Sequence, residues 1–150
     1  MLAPTPSEAL RRLRNSQATV VGQGVLYPIQ ESDTGGFVLA SGDILVQQSL
    51  VCLIETGIYE RPFQVRNGVP FGTRVPYMAF EDAERVRDLL TRDIERAISV
   101  WEPRVIFRSA GVVNPTTGSD PRYVGIRVVY TLRSTLSDDS VVANVRRGVL

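Results

Sequence analysis

The chain has 150 residues, 43% of them hydrophobic, which is enough for one sizeable core without metal or disulfide support. Its seventeen basic residues, every one an arginine, nearly balance sixteen acidic ones, and a formal charge of +1 provides no strong field to draw the protein to nucleic acid or to an anionic membrane. With no histidine and a single cysteine, an intrachain disulfide, a histidine-activated nucleophile and most catalytic zinc sites are all excluded.

Met1 to Arg14 contain Pro4, Pro6 and Glu8 and no continuous apolar run, so they do not read as a secretory signal. Nowhere does an apolar run approach the roughly 18 residues that a membrane span needs. A soluble protein made in a cytoplasm is expected. Residues 7 to 14, with Ser7 as cap, spell a helix too short to hold unless it docks on something. Residues 1 to 21 are therefore expected as an N-terminal tail, ahead of a single domain from 22 to 150. The stretch from Gly22 to Gly36, punctuated by Gly, Pro and Asp, predicts irregular surface chain with at most one strand.

With Ser41 or Asp43 as N-cap, Leu45, Val46, Leu50, Leu53 and Ile54 recur at spacings of three and four and predict an amphipathic helix ending at Gly57. Cys52 lies in its apolar run and is expected to be a small buried hydrophobe. Residues 58 to 80 contain Pro62, Gly68, Pro70, Gly72 and Pro76, too many breakers for a long element. They also hold Tyr59, Phe63, Phe71, Tyr77 and Phe80, which predict a loop packed by its aromatics. A second helix is expected from about Glu81 to Trp101, with Val86, Leu90, Ile94, Ala97, Ile98 and Trp101 as its apolar stripe.

Pro103 stops that helix, and Val105, Ile106 and Phe107 open β-rich sequence. After a polar loop from Asn114 to Pro121, Val124, Ile126, Val128, Tyr130 and Leu132 alternate with smaller or polar residues as a half-buried strand. Leu136 to Ser140 predicts a turn, and Val141, Ala143 and Val145 a last strand ending near Val149. The expected fold is α+β: two main helices packed on a C-terminal antiparallel β-sheet in a single domain.

Little in the chain suggests chemistry. Gly22-Gln23-Gly24 is too short for a phosphate loop and leads into Pro28 rather than a helix, and no lysine follows Gly35-Gly36. Carboxylate-pair hydrolysis needs one acid of raised pKa, for which Glu55, Glu60 and Glu102 are the candidates. Glu60 adjoins Arg61 and Glu102 adjoins Arg104, and a nearby guanidinium moves a carboxylate the wrong way for a general acid. No catalytic residue, cofactor or metal is expected.

The remaining motifs are Glu60-Arg61-Pro62-Phe63, then Phe71-Gly72, then Glu102-Pro103-Arg104 opening a strand after a long helix. Together with Val46, Gln48, Ser49 and Leu50 on the first helix and Ile94, Ala97 and Ile98 on the second, this order resembles the lysozyme-like baseplate wedge family of contractile phage tails. That family also has members in type VI secretion systems and contractile bacteriocins. Two departures stand out: Tyr59 occupies a position where the family usually has Gly, and a Leu-Leu-Asn-Thr-Arg string typical of the type VI members is missing. The second favours a phage tail or tail-derived particle.

The resemblance implies a structural, non-catalytic subunit of the tail baseplate in a virion, made in the host cytoplasm. It would dock on the core bundle of the wedge and offer a sheet from which the sheath grows. Other baseplate wedge proteins and the tail sheath protein are the implied partners, with tail tube or hub proteins as further candidates and no nucleic acid or membrane. Glu102, Pro103 and Arg104, at a rigid corner, and Glu60 and Arg61 are the expected interface residues; the alternative is an internal ion pair fastening helix to strand. Arg146 and Arg147 would guard the edge of the last strand while leaving it open to a partner strand. The rival functions are a peptidoglycan-degrading tail lysozyme and a tail or head completion adaptor.

Overall fold

The computed structural model describes residues 22–78, 83–114, 120 and 122–146. The expected N-terminal helix, the start of the second helix at Glu81, most of the loop from Asn114 to Pro121, and Arg147 lie outside them. Contacts divide the chain into two compact units, residues 1–48 and 49–150.

In the first unit, β1 (Gln23–Val25) pairs antiparallel with β2 (Leu39–Ser41), Val25 facing Leu39 and Gln23 facing Ser41. The Leu26 N–H donates to Val38 O at 2.9 Å and the Val38 N–H to Gln30 O at 3.0 Å, which prolongs the ribbon past its formal strands. The stretch from Gly22 to Gly36 holds one strand, β1, as expected, whereas β2 lies beyond it and at three residues is too short to register as alternation. One face of the ribbon packs on the next helix: a Cβ on Gly24 would lie 2.7 Å from Leu45 Cδ1.

That helix, α1 (Asp43–Glu55), is capped by Gly42 rather than by Ser41 or Asp43, because the Gly42 carbonyl accepts the Val46 N–H at 3.3 Å. Val46, Leu50, Leu53 and Ile54 are buried as expected. Cys52 is exposed, contrary to expectation. It lies two residues from Leu50, off the stripe, where helical geometry turns a side chain away from its neighbours' face.

The second unit continues from Ser49. The segment after α1 is more ordered than its breakers suggest. β3 (Val65–Arg66) and β4 (Val69–Pro70) form a hairpin whose turn, Asn67-Gly68, has positive φ at both residues, 51° and 74°. This is the primed turn that Asn-Gly favours. α2 (Val75–Met78) follows. Its aromatics do not all pack, however: Phe63 is 98% exposed and Tyr59 70%. What holds the segment is backbone. The Thr73 N–H donates to Thr56 O at 2.9 Å, the Ile58 N–H to Thr73 O at 3.0 Å, and the buried Thr73 hydroxyl to Ile54 O at 2.9 Å. At Gly72, φ is +103° and a Cβ would come within 2.5 Å of Thr56 O, so no other residue fits.

α3 (Ala83–Trp101) buries Leu90, Ile94, Ala97 and Ile98 of the predicted stripe, whose last member, Trp101, is half-buried. It runs into β5 (Val105–Val113), then β6 (Tyr123–Leu132) and β7 (Asp138–Arg146), an antiparallel meander with β6 central. The last turn comes earlier than predicted, with Leu136 at φ 53° and the Leu132 N–H donating to Ser137 O, so β7 starts at Asp138 rather than Val141. Ile126, Val128, Tyr130 and Leu132 alternate on the buried face of β6, opposite Ala143 and Val145's strand on one side and Val105's on the other. The α+β fold with two principal helices and a C-terminal antiparallel sheet is as expected.

Ile94 is fully buried whereas Leu89, on the same helix, is 55% exposed. Ile94→Ala is expected to cost about 2–5 kcal/mol in urea denaturation. Leu89→Ala should stay within about 0.5 kcal/mol of the parent.

Candidate functional site

The junction of α3 and β5 holds a buried carboxylate paired with an arginine. The helix makes its last backbone bond from the Glu102 N–H to Ile98 O at 2.8 Å, and Pro103, which has no N–H, ends it. The chain turns there, with the Val105 N–H reaching Glu102 O at 3.3 Å, and enters β5. On the sheet side the Arg133 N–H donates to Arg104 O at 2.9 Å, which ties the corner to the end of β6.

Glu102 is 2% exposed. Arg104 meets it with both arms of its fork, Nε to Oε1 at 2.5 Å and Nη2 to Oε2 at 2.6 Å. This two-pronged, charge-assisted pairing is geometrically specific, and the hydrogen bonds to Glu102 raise the Arg104 pKa against the opposing effect of burial. The expectation that Glu102 and Arg104 both project from the corner therefore fails for Glu102. Its carboxylate points inward, and only Arg104, with 32% of its side chain exposed, reaches the surface beside the exposed Pro103.

One residue back, Trp101 donates its indole N–H to Pro70 O at 3.2 Å and meets Phe71 edge to face, ring centroids 5.2 Å apart. The Arg61 guanidinium lies over the Phe71 ring, 4.8 Å from its centroid, with Nη2 at 3.7 Å from Cys52 Sγ and Nη1 at 3.4 Å from Gln64 Oε1. Arg61 thus stacks on an aromatic ring and does not pair with neighbouring Glu60. Glu60 folds back instead, its Oε1 2.8 Å from where a Cβ on Gly57 would be. Arg61, Phe71 and Trp101 link the Glu60–Phe63 segment to the Glu102–Arg104 corner, so two motifs forty residues apart are joined through one ring. Tyr59 adopts φ 70°, the left-handed conformation that glycine takes freely. The turn survives the departure from Gly.

Arg146 does not join this surface. It closes β7 opposite Tyr123, nine residues along β6 from the Leu132 end that touches the corner, about 30 Å away at the usual strand rise.

Three features had no signal in the chain order. A cleft of about 570 Å³ is lined by Ile58, Tyr59, Glu60, Arg74, Tyr77 and Met78. Asp93 on α3 accepts the Arg74 N–H at 2.6 Å and fixes α2 against α3. Glu55, at the end of α1, accepts the N–H of Asn144 at 2.9 Å on the outer edge of β7. Glu55 is exposed as a residue, yet its carboxyl end lies against that strand, and desolvation raises its pKa above the ordinary 4.5 although the bond from Asn144 pulls the other way. Edge donors on β7 are thus partly occupied from within the chain. β5 is the other edge of the sheet.

These groups do not compose an active centre. Glu102 is committed to Arg104, and Glu55, whose raised pKa would suit an acid, does not line the cleft. Among the described residues no group of three or more Asp, Glu or Cys side chains could hold a metal ion, and no helix is long and apolar enough to cross a membrane.

A family model described as baseplate wedge protein gp25 matches residues 40–137. Among solved structures, the chain is similar to a crystal structure from Geobacter sulfurreducens provisionally named as a tail lysozyme, with 20% identity and a TM-score of 0.58 over 75% of this chain and 96% of that one. It is also similar to a chain in the cryo-EM structure of the anti-feeding prophage baseplate, with 18% identity and a TM-score of 0.56 over 89% of this chain and 92% of the other. No curated protein matches it.

Arg104→Ala would leave the buried Glu102 charge without its partner, an expected loss of about 3–5 kcal/mol in urea denaturation. The paired change Glu102→Met with Arg104→Met should cost less than the single one, because no charge is orphaned. The Glu55 pKa makes a second prediction. A carboxyl that binds its proton more tightly when folded lowers stability as pH rises from 4.5 through its raised value. Glu55→Gln keeps an acceptor for the Asn144 N–H without the charge, so its denaturation midpoint at pH 7 should equal or exceed the parent's, and the two should converge at pH 4.

Proposed function

Because the chain belongs to the baseplate wedge protein gp25 family, we propose that it is a structural subunit of a contractile-tail baseplate wedge, made in a host cytoplasm and carried in a virion or a tail-derived particle. It docks on the core bundle of the wedge and provides the platform on which sheath assembly starts. Its partners are other wedge proteins and the sheath protein, with tube or hub proteins as neighbours. The observation that carries this reading is the bidentate Glu102–Arg104 pair at a corner that both ends α3 and opens the sheet. A buried carboxylate fixes the direction of one half-exposed guanidinium, which suits a docking anchor that must hold one angle.

Sheath contact is assigned to the sheet, where an extended arm adds a strand by main-chain pairing. The C-terminal strand was the expected acceptor. Glu55 on the Asn144 N–H favours β5 instead, since a strand added along β7 would have to displace that carboxylate. Removing β7 would not test the idea, because Ala143 and Val145 are core residues.

A tail lysozyme is the rival reading, and the name given to the Geobacter structure is its support. The committed carboxylate at Glu102 speaks against it.

Purified protein is expected to show no clearing of peptidoglycan. Clearing that Glu55→Gln or Glu102→Gln abolishes, in a variant that remains folded, would replace the structural reading with an enzymatic one. Residue-resolved hydrogen exchange in the presence of purified sheath protein should slow the amides of β5. Slowing confined to β7 would move the acceptor edge, and no slowing on either strand would remove the sheet from sheath assembly.

A further inference from the structure

The β1–β2 ribbon has a second face that nothing described covers. Val25 and Leu39 are directly paired across it, Phe37 lies two residues from Leu39 where it bridges Glu31, and Tyr27 sits in the bend that follows β1. These four are 46%, 51%, 79% and 65% exposed, and the nearby Ile29 is 67% exposed. The opposite side, with Gly24 against Leu45 and Ala40 buried, already packs on α1. Five large apolar side chains are exposed on and beside this short ribbon, more than a soluble protein usually leaves open.

The charge around this patch has one sign. From Gly22 to Glu60 the sequence carries Glu31, Asp33, Asp43, Glu55 and Glu60 and no arginine, and the first three lie in the ribbon's own unit. An occupant should therefore be apolar on one side and basic on the other. Such a segment precedes the ribbon in the sequence: Ser7 to Arg14 places Ala9, Leu10 and Leu13 at helical spacing and adds Arg11, Arg12 and Arg14. A helix this short needs a surface to lie on. The seven residues 15 to 21 can span up to about 24 Å before Gly22, longer than the ribbon strands themselves.

We propose that residues 7–14 dock as a short amphipathic helix on the exposed apolar face of the β1–β2 ribbon, with their arginines beside Glu31 and Asp33. The helix covers Val25, Tyr27, Phe37 and Leu39 and completes the first unit. This stands apart from the baseplate reading, since it concerns the isolated chain.

The test places a photo-crosslinking amino acid at Leu10 of the full chain, at a concentration where the protein is monomeric, and maps the products by mass spectrometry. Crosslinks within one chain to the peptide containing Tyr27 or Phe37 are expected. Changing Arg11, Arg12 and Arg14 together to Glu should lower their yield about tenfold, as loss of several surface pairs plus new repulsion implies. Adding Glu31→Arg and Asp33→Arg to that variant should restore it. The rescue separates charge pairing from misfolding. Crosslinks only between copies, rising with concentration, would assign the face to a second molecule. Crosslinks to other parts of the chain, or none, would leave the ribbon face to a partner protein. Each of these outcomes overturns the proposal.

Discussion

A carboxylate that is almost fully buried has to be answered by a cation, and at Glu102 the answer comes from two residues further along the same chain. Removing an ionised carboxylate from water is costly, and the two short bonds from Arg104 offset that cost only while the fork and the carboxylate stay coplanar. Pro103 between them leaves the backbone little freedom to do otherwise. The direction in which α3 ends and β5 begins is therefore set by a three-residue device. The Arg133 N–H on the Arg104 carbonyl extends its influence to the end of β6.

The same corner organises the segment between α1 and α3. Trp101 holds the β4 end through the Pro70 carbonyl and the Phe71 ring, and Arg61 lies on that ring. Close backbone approach does the rest: Gly72 passes within contact of the Thr56 carbonyl, and Thr73 is sewn to the end of α1 by main-chain and hydroxyl bonds. This explains how a stretch with so many breakers holds one conformation while Tyr59 and Phe63 remain in solvent. Its order derives from polar backbone pairing rather than from aromatic burial.

The two edges of the sheet that results are not alike. β7 has an internal side chain on one of its outward donors, whereas β5 forms the opposite edge and carries an irregularity at Arg108, whose Nε bonds the Thr131 hydroxyl. Edge irregularity and covering side chains are ordinary defences against uncontrolled pairing.

Much of the architecture was present in the order of the residues. The stripe of Leu90, Ile94, Ala97 and Ile98 and the alternation along β6 are periodic, and periodicity follows from local backbone geometry alone. Cys52 was misplaced in the core because its apolar neighbours in the chain outweighed its position off the stripe set by Leu50, Leu53 and Ile54. The ordered motifs from Glu60 to Arg104 likewise carried the family, which the match over residues 40–137 bears out. What the sequence could not determine was direction and long-range partnership. Glu102 beside Arg104 spells an ion pair in either orientation, and only the packing of α3 on the sheet turns the carboxylate inward. Arg61 beside Glu60 suggested a pair, but a ring ten residues away offered a better-placed partner. Glu55 and Asn144 are 89 residues apart, and nothing local to either announces the other. Such contacts arise when tertiary packing removes water from polar groups and obliges each to find whichever partner the fold has brought within reach.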